Sequence, residues 1–178
     1  MSSYDFESKV ISIPDYPEPP VVFRDITPLF SDAECLQQLI KAFVEHYKDM
    51  HIDKVVGPEA RGFLLATPLA AALDAGFVPA RKPGKLPRET VSISYDLEYG
   101  QNTIEIHKDA IKPGDRVLIV DDLIATGGTA AAAGKLVEKM GGELVGYGVI
   151  IELAYLNPRK ALSQTSSDEL FSLVQYSE

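Results

Sequence analysis

Two adjacent carboxylates, Asp121 and Asp122, follow directly on the apolar run Val117-Leu118-Ile119-Val120 and precede Leu123-Ile124-Ala125-Thr126-Gly127-Gly128-Thr129. An uninterrupted apolar run of this kind predicts a strand buried on both faces. In open parallel sheets, ligands sit beyond the carboxyl ends of the strands, and the sequence places both acids there, immediately after the buried run. Paired carboxylates at a strand end can bind a metal ion, accept hydrogen bonds from vicinal ribose hydroxyls, or only cap the turn that follows. The stretch Ala125–Thr129 offers successive backbone N–H groups, glycines that allow close approach, and two threonine hydroxyls. It opens a helix, whose N-terminus carries partial positive charge, so the arrangement suits a phosphate monoester. No lysine closes the loop, and the spacing is neither G-x-x-x-x-G-K-[ST] nor G-x-G-x-x-G, so NTPase and dinucleotide readings lose their main support.

Three other segments carry chemistry-bearing residues. Arg61, in Gly57-Pro58-Glu59-Ala60-Arg61-Gly62-Phe63, has the guanidinium fork that binds a pair of diphosphate oxygens, or that forms an ordinary surface ion pair. Arg81-Lys82-Pro83-Gly84-Lys85-Leu86-Pro87-Arg88 places four cations within eight residues, which by itself reads as a solvated charge run. Val21-Val22-Phe23 supplies flat apolar surface of the sort that packs a core or receives a planar base. His46, His51 and His107 are scattered and read as satisfied or surface groups rather than a metal or acid–base set. Cys35 falls within an amphipathic pattern and reads as packing or simple exposure, not as a nucleophile.

The elements that must position these residues alternate between strand and helix. Ser31-Asp32-Ala33-Glu34 has capping-box spacing, and Leu36, Leu39, Ile40, Phe43, Val44 and Tyr47 recur on one helical face behind it. Asp53–Gly57 predicts a short strand, followed by a turn and a helix-like segment to about Ala75. Pro68 within that segment implies a kink or a late helix start. Phe77–Ala80 predicts another strand. Val91–Tyr95 and Thr103–Ile106 alternate at period two, as the arms of a hairpin or flap. Pro113-Gly114-Asp115 marks a turn before the strand Arg116–Val120. A small-residue helix is expected from about Gly128 to Met140, and a further strand from Val145 to Leu153. This alternation predicts an α/β fold with a mostly parallel central sheet flanked by helices, in one domain.

Composition limits the partners. The 178 residues carry a formal charge of −9, so a phosphate backbone is repelled and general nucleic-acid binding is not expected. Any phosphorylated substrate must meet a locally basic site. The apolar-leaning runs Gly62–Leu73 and Leu123–Gly134 are too short to span a bilayer. Met1–Glu7 lacks the basic and apolar regions of a signal peptide, and one cysteine excludes an internal disulfide framework. These features predict a cytosolic protein.

The thirteen residues Val117–Thr129 resemble the signature with which type I phosphoribosyltransferases bind phosphoribosyl pyrophosphate. The resemblance implies that Asp121 and Asp122 hold the ribose hydroxyls, and that Ala125, Thr126, Gly127, Gly128 and Thr129 hold the 5-phosphate. Pro19-Pro20-Val21-Val22-Phe23-Arg24-Asp25-Ile26-Thr27-Pro28 resembles the hood of the adenine phosphoribosyltransferases, with Pro20 where that family usually has Gly. It implies backbone contacts to adenine beside Val22 and Arg24, stacking by Phe23, and packing by Leu153 from below. Gly57–Phe63 resembles the family's pyrophosphate loop, with Arg61 on the diphosphate and a cis peptide at Glu59–Ala60. The basic run matches the family's Arg-Lys-x-Gly-Lys-Leu-Pro pattern, so Lys82 and Lys85 join the pyrophosphate site. In Ser94-Tyr95-Asp96-Leu97-Glu98-Tyr99-Gly100, Glu98 takes the proton-handling role and Tyr99 a diphosphate contact.

The match runs from about Ile13 through Leu162, and Phe171–Tyr176 fits the family's closing strand. It implies a hood over about residues 1–30, a flap over about 84–103 with hinges at Gly84 and Gly100, Mg²⁺ carried mainly by substrate oxygens and water, no protein-held metal, and a homodimer. The substrates implied are adenine and phosphoribosyl pyrophosphate, and the products AMP and pyrophosphate. A 6-oxopurine as the base and a non-catalytic regulator that kept the donor fold are the competing readings.

Overall fold

A computed structural model of the chain describes residues 4–97 and 100–178. Near the N-terminus, β1 (Ile11–Pro14) and β2 (Val22–Asp25) form an antiparallel pair. Helix α1 (Thr27–Ser31) leads into α2 (Ala33–Tyr47). Asp32, not Ser31, caps α2: its carboxylate accepts from the backbone N–H of Cys35 at 2.9 Å. The capping-box spacing thus marks the right place one residue early, because α1 runs through Ser31 and leaves Asp32 as the extended residue between the helices. Cys35, Leu39, Phe43 and Tyr47 are buried along one face of α2, so Cys35 belongs to the core.

The central sheet contains β3 (Lys54–Pro58), β4 (Gly76–Ala80), β7 (Arg116–Ile124), β8 (Glu143–Leu153) and β9 (Leu170–Tyr176), all parallel, in the order β4-β3-β7-β8-β9. The intervening β5 (Thr90–Asp96) and β6 (Gln101–His107) form the expected hairpin, with Ser94 opposite Thr103. Helix α3 (Gly62–Ala72) follows β3, α4 (Gly128–Lys139) follows β7, and α5 (Pro158–Leu162) follows β8.

Along β7 the side chains alternate between two cores. Val117 and Ile119 join one cluster with Ala130–Ala133, Leu136 and Val137 of α4. Leu118 and Val120 join the other with α2 and with Leu65, Ala66, Leu69 and Ala70 of α3. Each helix therefore covers its own face of the sheet, and the run of alanines lets α4 lie close. Tertiary packing also decides the fate of Pro68. Helix α3 starts at Gly62 and continues through that proline, with buried residues on either side of it, instead of starting late. The carbonyl deprived of a partner belongs to Leu64, which is exposed.

The chain moves outward from β3 in one direction and from β7 in the other, so the boundary between them is the topological switch point. Their pairing ends at Val56 opposite Ile119. Strand β7 runs on beside β8 to Ile124. Asp121 and Asp122 accordingly lie within the strand, not beyond its end as the apolar run alone suggested. Pairing to β8 continues past Val120 as far as Ile124, while the flank toward β3 has opened.

Candidate active site

The opening beside β7 is filled from the β3 side by the loop that starts α3. Arg61 places Nε 3.1 Å from Oδ2 of Asp122, pairing a half-exposed guanidinium with a buried carboxylate. That oxygen receives no aligned hydrogen bond, so among the described residues it is a buried acceptor with a charge beside it and no donor. Asp121 Oδ1 accepts from the Asp122 N–H at 2.8 Å. It lies so near Gly62 that a Cβ there would stand 2.9 Å from it. Burial, then the adjacent charge of Asp122, push the Asp121 carboxyl well above its ordinary value, with Arg61 acting in the opposite sense.

On the other flank, Ala125 and Thr126 lead to Gly127, which starts α4 in the left-handed region at φ +84°. A side chain on Gly127 would stand 2.7 Å from the carbonyl oxygen of Pro158, so α5 backs the loop directly. The first amides of α4, from Gly128 and Thr129 onward, are those without intrahelical partners. Helix α5 is itself held by Arg159, whose Nε and Nη2 each lie 2.9 Å from a carboxylate oxygen of buried Glu152. Burial alone would raise Glu152. Arg159, Ser172 and Gln175 together outweigh it and hold the carboxyl below its usual value.

The hood reaches the same place. The Arg61 guanidinium lies 5.4 Å from the centre of the Phe23 ring. Arg24 stacks over Tyr176 at 3.8 Å and donates to Ser12, and Tyr176 is the β9 partner of Leu153. Val22 is exposed, and Phe23, Arg24 and Leu153 are half-buried. Phe23 thus meets the acid pair through Arg61, while Arg24 ties the hood to the carboxyl ends of β8 and β9.

The Glu59–Ala60 peptide is cis. Glu59 fastens this loop to the basic run: its carboxylate accepts from the Lys82 N–H at 2.5 Å and pairs with Arg81 at 3.4 Å. The Lys82 amide is the main cause of a lowered Glu59 value, opposed by burial and assisted by Arg81. Lys82 and Lys85 are exposed beside it. Gly84 and Gly100 have φ of +80° and +90°, with open space around each. Glu98 and Tyr99 lie outside the described residues.

Asp121, Asp122, Arg61, Phe23 and the loop from Ala125 to Thr129 are therefore gathered about one switch point, with Lys82 and Lys85 attached through Glu59. Three contributors were missed by sequence reasoning. Glu59 and Arg159 act as anchors, and no periodicity marks an anchor. Tyr95 donates to or accepts from Thr129 across 2.9 Å, a contact between hydroxyls far apart in the chain. Its place one residue after Ser94 in an alternating strand was the only available sign of which way it faces.

A phosphoribosyl transferase domain model matches residues 29–173. The chain is 50% identical over 176 residues to the adenine phosphoribosyltransferase of Desulfitobacterium hafniense (strain Y51), covering 99% of this chain and 100% of that one. The crystal structure of adenine phosphoribosyltransferase from Thermoanaerobacter pseudethanolicus is similar at a TM-score of 0.91 and 45% identity, over 96% of this chain and 98% of that one. The Giardia lamblia APRTase complexed with 9-deazaadenine is similar at a TM-score of 0.92 and 38% identity, over 99% and 98% of the respective chains. With the family signature spanning both flanks of the switch point and near-complete coverage by these relatives, the chain belongs to the phosphoribosyltransferase family, among the adenine phosphoribosyltransferases.

Proposed function

We propose that the chain joins adenine to phosphoribosyl pyrophosphate, releasing AMP and pyrophosphate in purine salvage, and that the switch-point residues divide the work as follows. The observation that carries the assignment is the buried Asp122 Oδ2, an acceptor with no hydrogen-bond donor, beside the start of a glycine-led helix. A ribose hydroxyl supplies the missing donor, and the neighbouring amides take the 5-phosphate.

Breaking the bond from C1 to the diphosphate leaves a sugar with cationic character and a leaving group that gains charge. Catalysis is then positioning plus stabilisation of separating charge. Arg61, Lys82 and Lys85 gather on the diphosphate, with Tyr99 added from the flap. Arg61 exchanges its contact with Asp122 for the leaving group, which frees the Asp122 carboxylate for the ribose. Asp121 and Asp122 hold the ring hydroxyls, and the Asp122 carboxylate places negative potential near the electron-poor carbon. Adenine enters under the hood, with the Phe23 ring on its face, the backbone beside Val22 and Arg24 at its edge, and Leu153 below. Glu98 holds the proton at the base while the ring nitrogen attacks. The flap between about 84 and 103, hinged at Gly84 and Gly100, closes over the donor and excludes water.

Asp121 and Asp122 are taken up by the ribose hydroxyls, and among the described residues no group of three or more metal-ligating side chains stands together. Mg²⁺ would therefore be held mainly by substrate oxygens and water, where it would neutralise charge on the diphosphate. The protein works as a cytoplasmic homodimer. No helix of the described residues is long and apolar enough to cross a membrane.

Incubation with adenine, phosphoribosyl pyrophosphate and Mg²⁺ tests the assignment. AMP and pyrophosphate are expected in equal amounts, with hypoxanthine, guanine and xanthine poor replacements for adenine at the same donor concentration. A preference for one of those oxopurines would move the protein to another base, and no nucleotide product from any base would end the enzymatic reading.

A further inference from the structure

The flap strand is not free of the phosphate loop. Val91, Ile93 and Tyr95 of β5 pack against the core that α4 helps to form, and Lys139 at the end of α4 donates to the Ser92 carbonyl at 3.1 Å. At the other end of this contact, the Tyr95 ring lies against Gly128: a Cβ on that glycine would stand 3.7 Å from the ring. The Tyr95 and Thr129 hydroxyls lie 2.9 Å apart. Just beside them, Ser94 and Thr103 close the hairpin with their own hydroxyl pair at 2.7 Å. Tyr95 thus stands on a held strand, short of the flap's tip, with its oxygen on the first turn of α4.

A hydroxyl offers one proton and two lone pairs, and a phenol is the more acidic of the two hydroxyls here. Tyr95 is therefore the natural donor and Thr129 the acceptor. With a lone pair engaged, Thr129 keeps its own proton to give elsewhere, and hydrogen bonds in series strengthen one another. Resting on the phosphate-loop reading above, we infer that Tyr95 is a positioning residue for the 5-phosphate. It aims the Thr129 proton at the phosphate and thereby links the base of the flap to that site, without touching the substrate.

The test is calorimetric titration of the full chain with ribose 5-phosphate, AMP and adenine, for wild type, Tyr95→Phe, Thr129→Val, Thr129→Ser and the Tyr95→Phe/Thr129→Val pair. Tyr95→Phe keeps the ring on Gly128 and removes only the oxygen. It is expected to weaken ribose 5-phosphate and AMP about three- to tenfold, the range of one neutral hydrogen bond, and Thr129→Val, which removes the bond to the charged phosphate, about tenfold or more. Adenine, which lacks the phosphate, is expected to bind unchanged. Thr129→Ser keeps the hydroxyl and should stay near wild type. The pair should be little worse than Thr129→Val alone, because Tyr95 acts through Thr129. Unchanged or tighter ribose 5-phosphate binding by Tyr95→Phe, with Thr129→Val weakened, overturns the inference and leaves the phosphate loop standing. Full additivity in the pair overturns it as well. Unchanged binding by Thr129→Val would remove the phosphate-loop reading itself.

Discussion

Burial and the neighbouring Asp122 both oppose ionisation of Asp121, so the folded chain holds this proton to higher pH than the unfolded chain does. Between the ordinary aspartate range and the raised folded value, the native state binds more protons than the unfolded state. Its stability therefore falls as pH rises through that window. Asp121→Asn keeps an acceptor for the Asp122 N–H and abolishes the titration. The variant is expected to melt about 2–4 °C higher at neutral pH, the shift that about 1 kcal/mol produces in a chain of this size. Its melting temperature should also decline less in scanning calorimetry as pH rises from the ordinary aspartate range toward neutrality. AMP formation should drop by about tenfold or more, about 1.4 kcal/mol of transition-state stabilisation. A pH slope identical to wild type would mean that Asp121 is not the group that sets it. Phe23 is tested by a different separation. Phe23→Ala should weaken adenine about tenfold, consistent with a lost aromatic face, while ribose 5-phosphate binds as before. If only thermal stability changed, the ring would be packing and nothing more.

Gly127 is where the strand–loop–helix element is most sharply constrained, by its φ of +84° and by the Pro158 carbonyl behind it. Gly127→Ala must move α5 or reshape the loop. It should cost about 1–3 kcal/mol of stability, as a strained left-handed residue does, and weaken ribose 5-phosphate more than adenine. Equal loss for both ligands would indicate general damage rather than a distorted phosphate loop. Much of this element was legible in the chain itself, because its features are local. The buried run, the acids, the glycine-led helix start and the alternating hairpin arms all declare themselves within a few neighbours. Boundaries were harder where competition decided them. Ser31 and Asp32 are both good caps, and only the end of α1 selects Asp32. Pro68 argues against a helix that the two buried flanks of α3 impose. The length of β7 depends on β8, whose Val149 and Ile151 keep it paired through the acids and beyond. Contacts such as Arg61 with Asp122, or Tyr95 with Thr129, join segments distant in sequence and leave no periodic trace in either.

Two cores flank the sheet, and β7 contributes alternate side chains to each, so neither can loosen without the other. Leu136 is fully buried on the α4 side. Leu136→Ala should cost about 2–5 kcal/mol and lower the melting temperature by at least about 5 °C, still as one calorimetric transition. Two resolved transitions would show that the faces unfold independently. The strand order also bears on how the chain is made. Strand β3 is complete at Pro58, yet its partner on the acid side begins only at Arg116, after α3, β4 and the whole hairpin. On the ribosome, β3 and β4 must wait with one edge uncovered until β7 emerges, an interval in which a bare strand edge invites wrong pairing. The strand that ends this exposure also delivers Asp121 and Asp122, so the pocket is the seam along which the early and late portions of the polypeptide are joined. A nascent chain halted before that seam would have neither a closed sheet nor any means of holding a sugar.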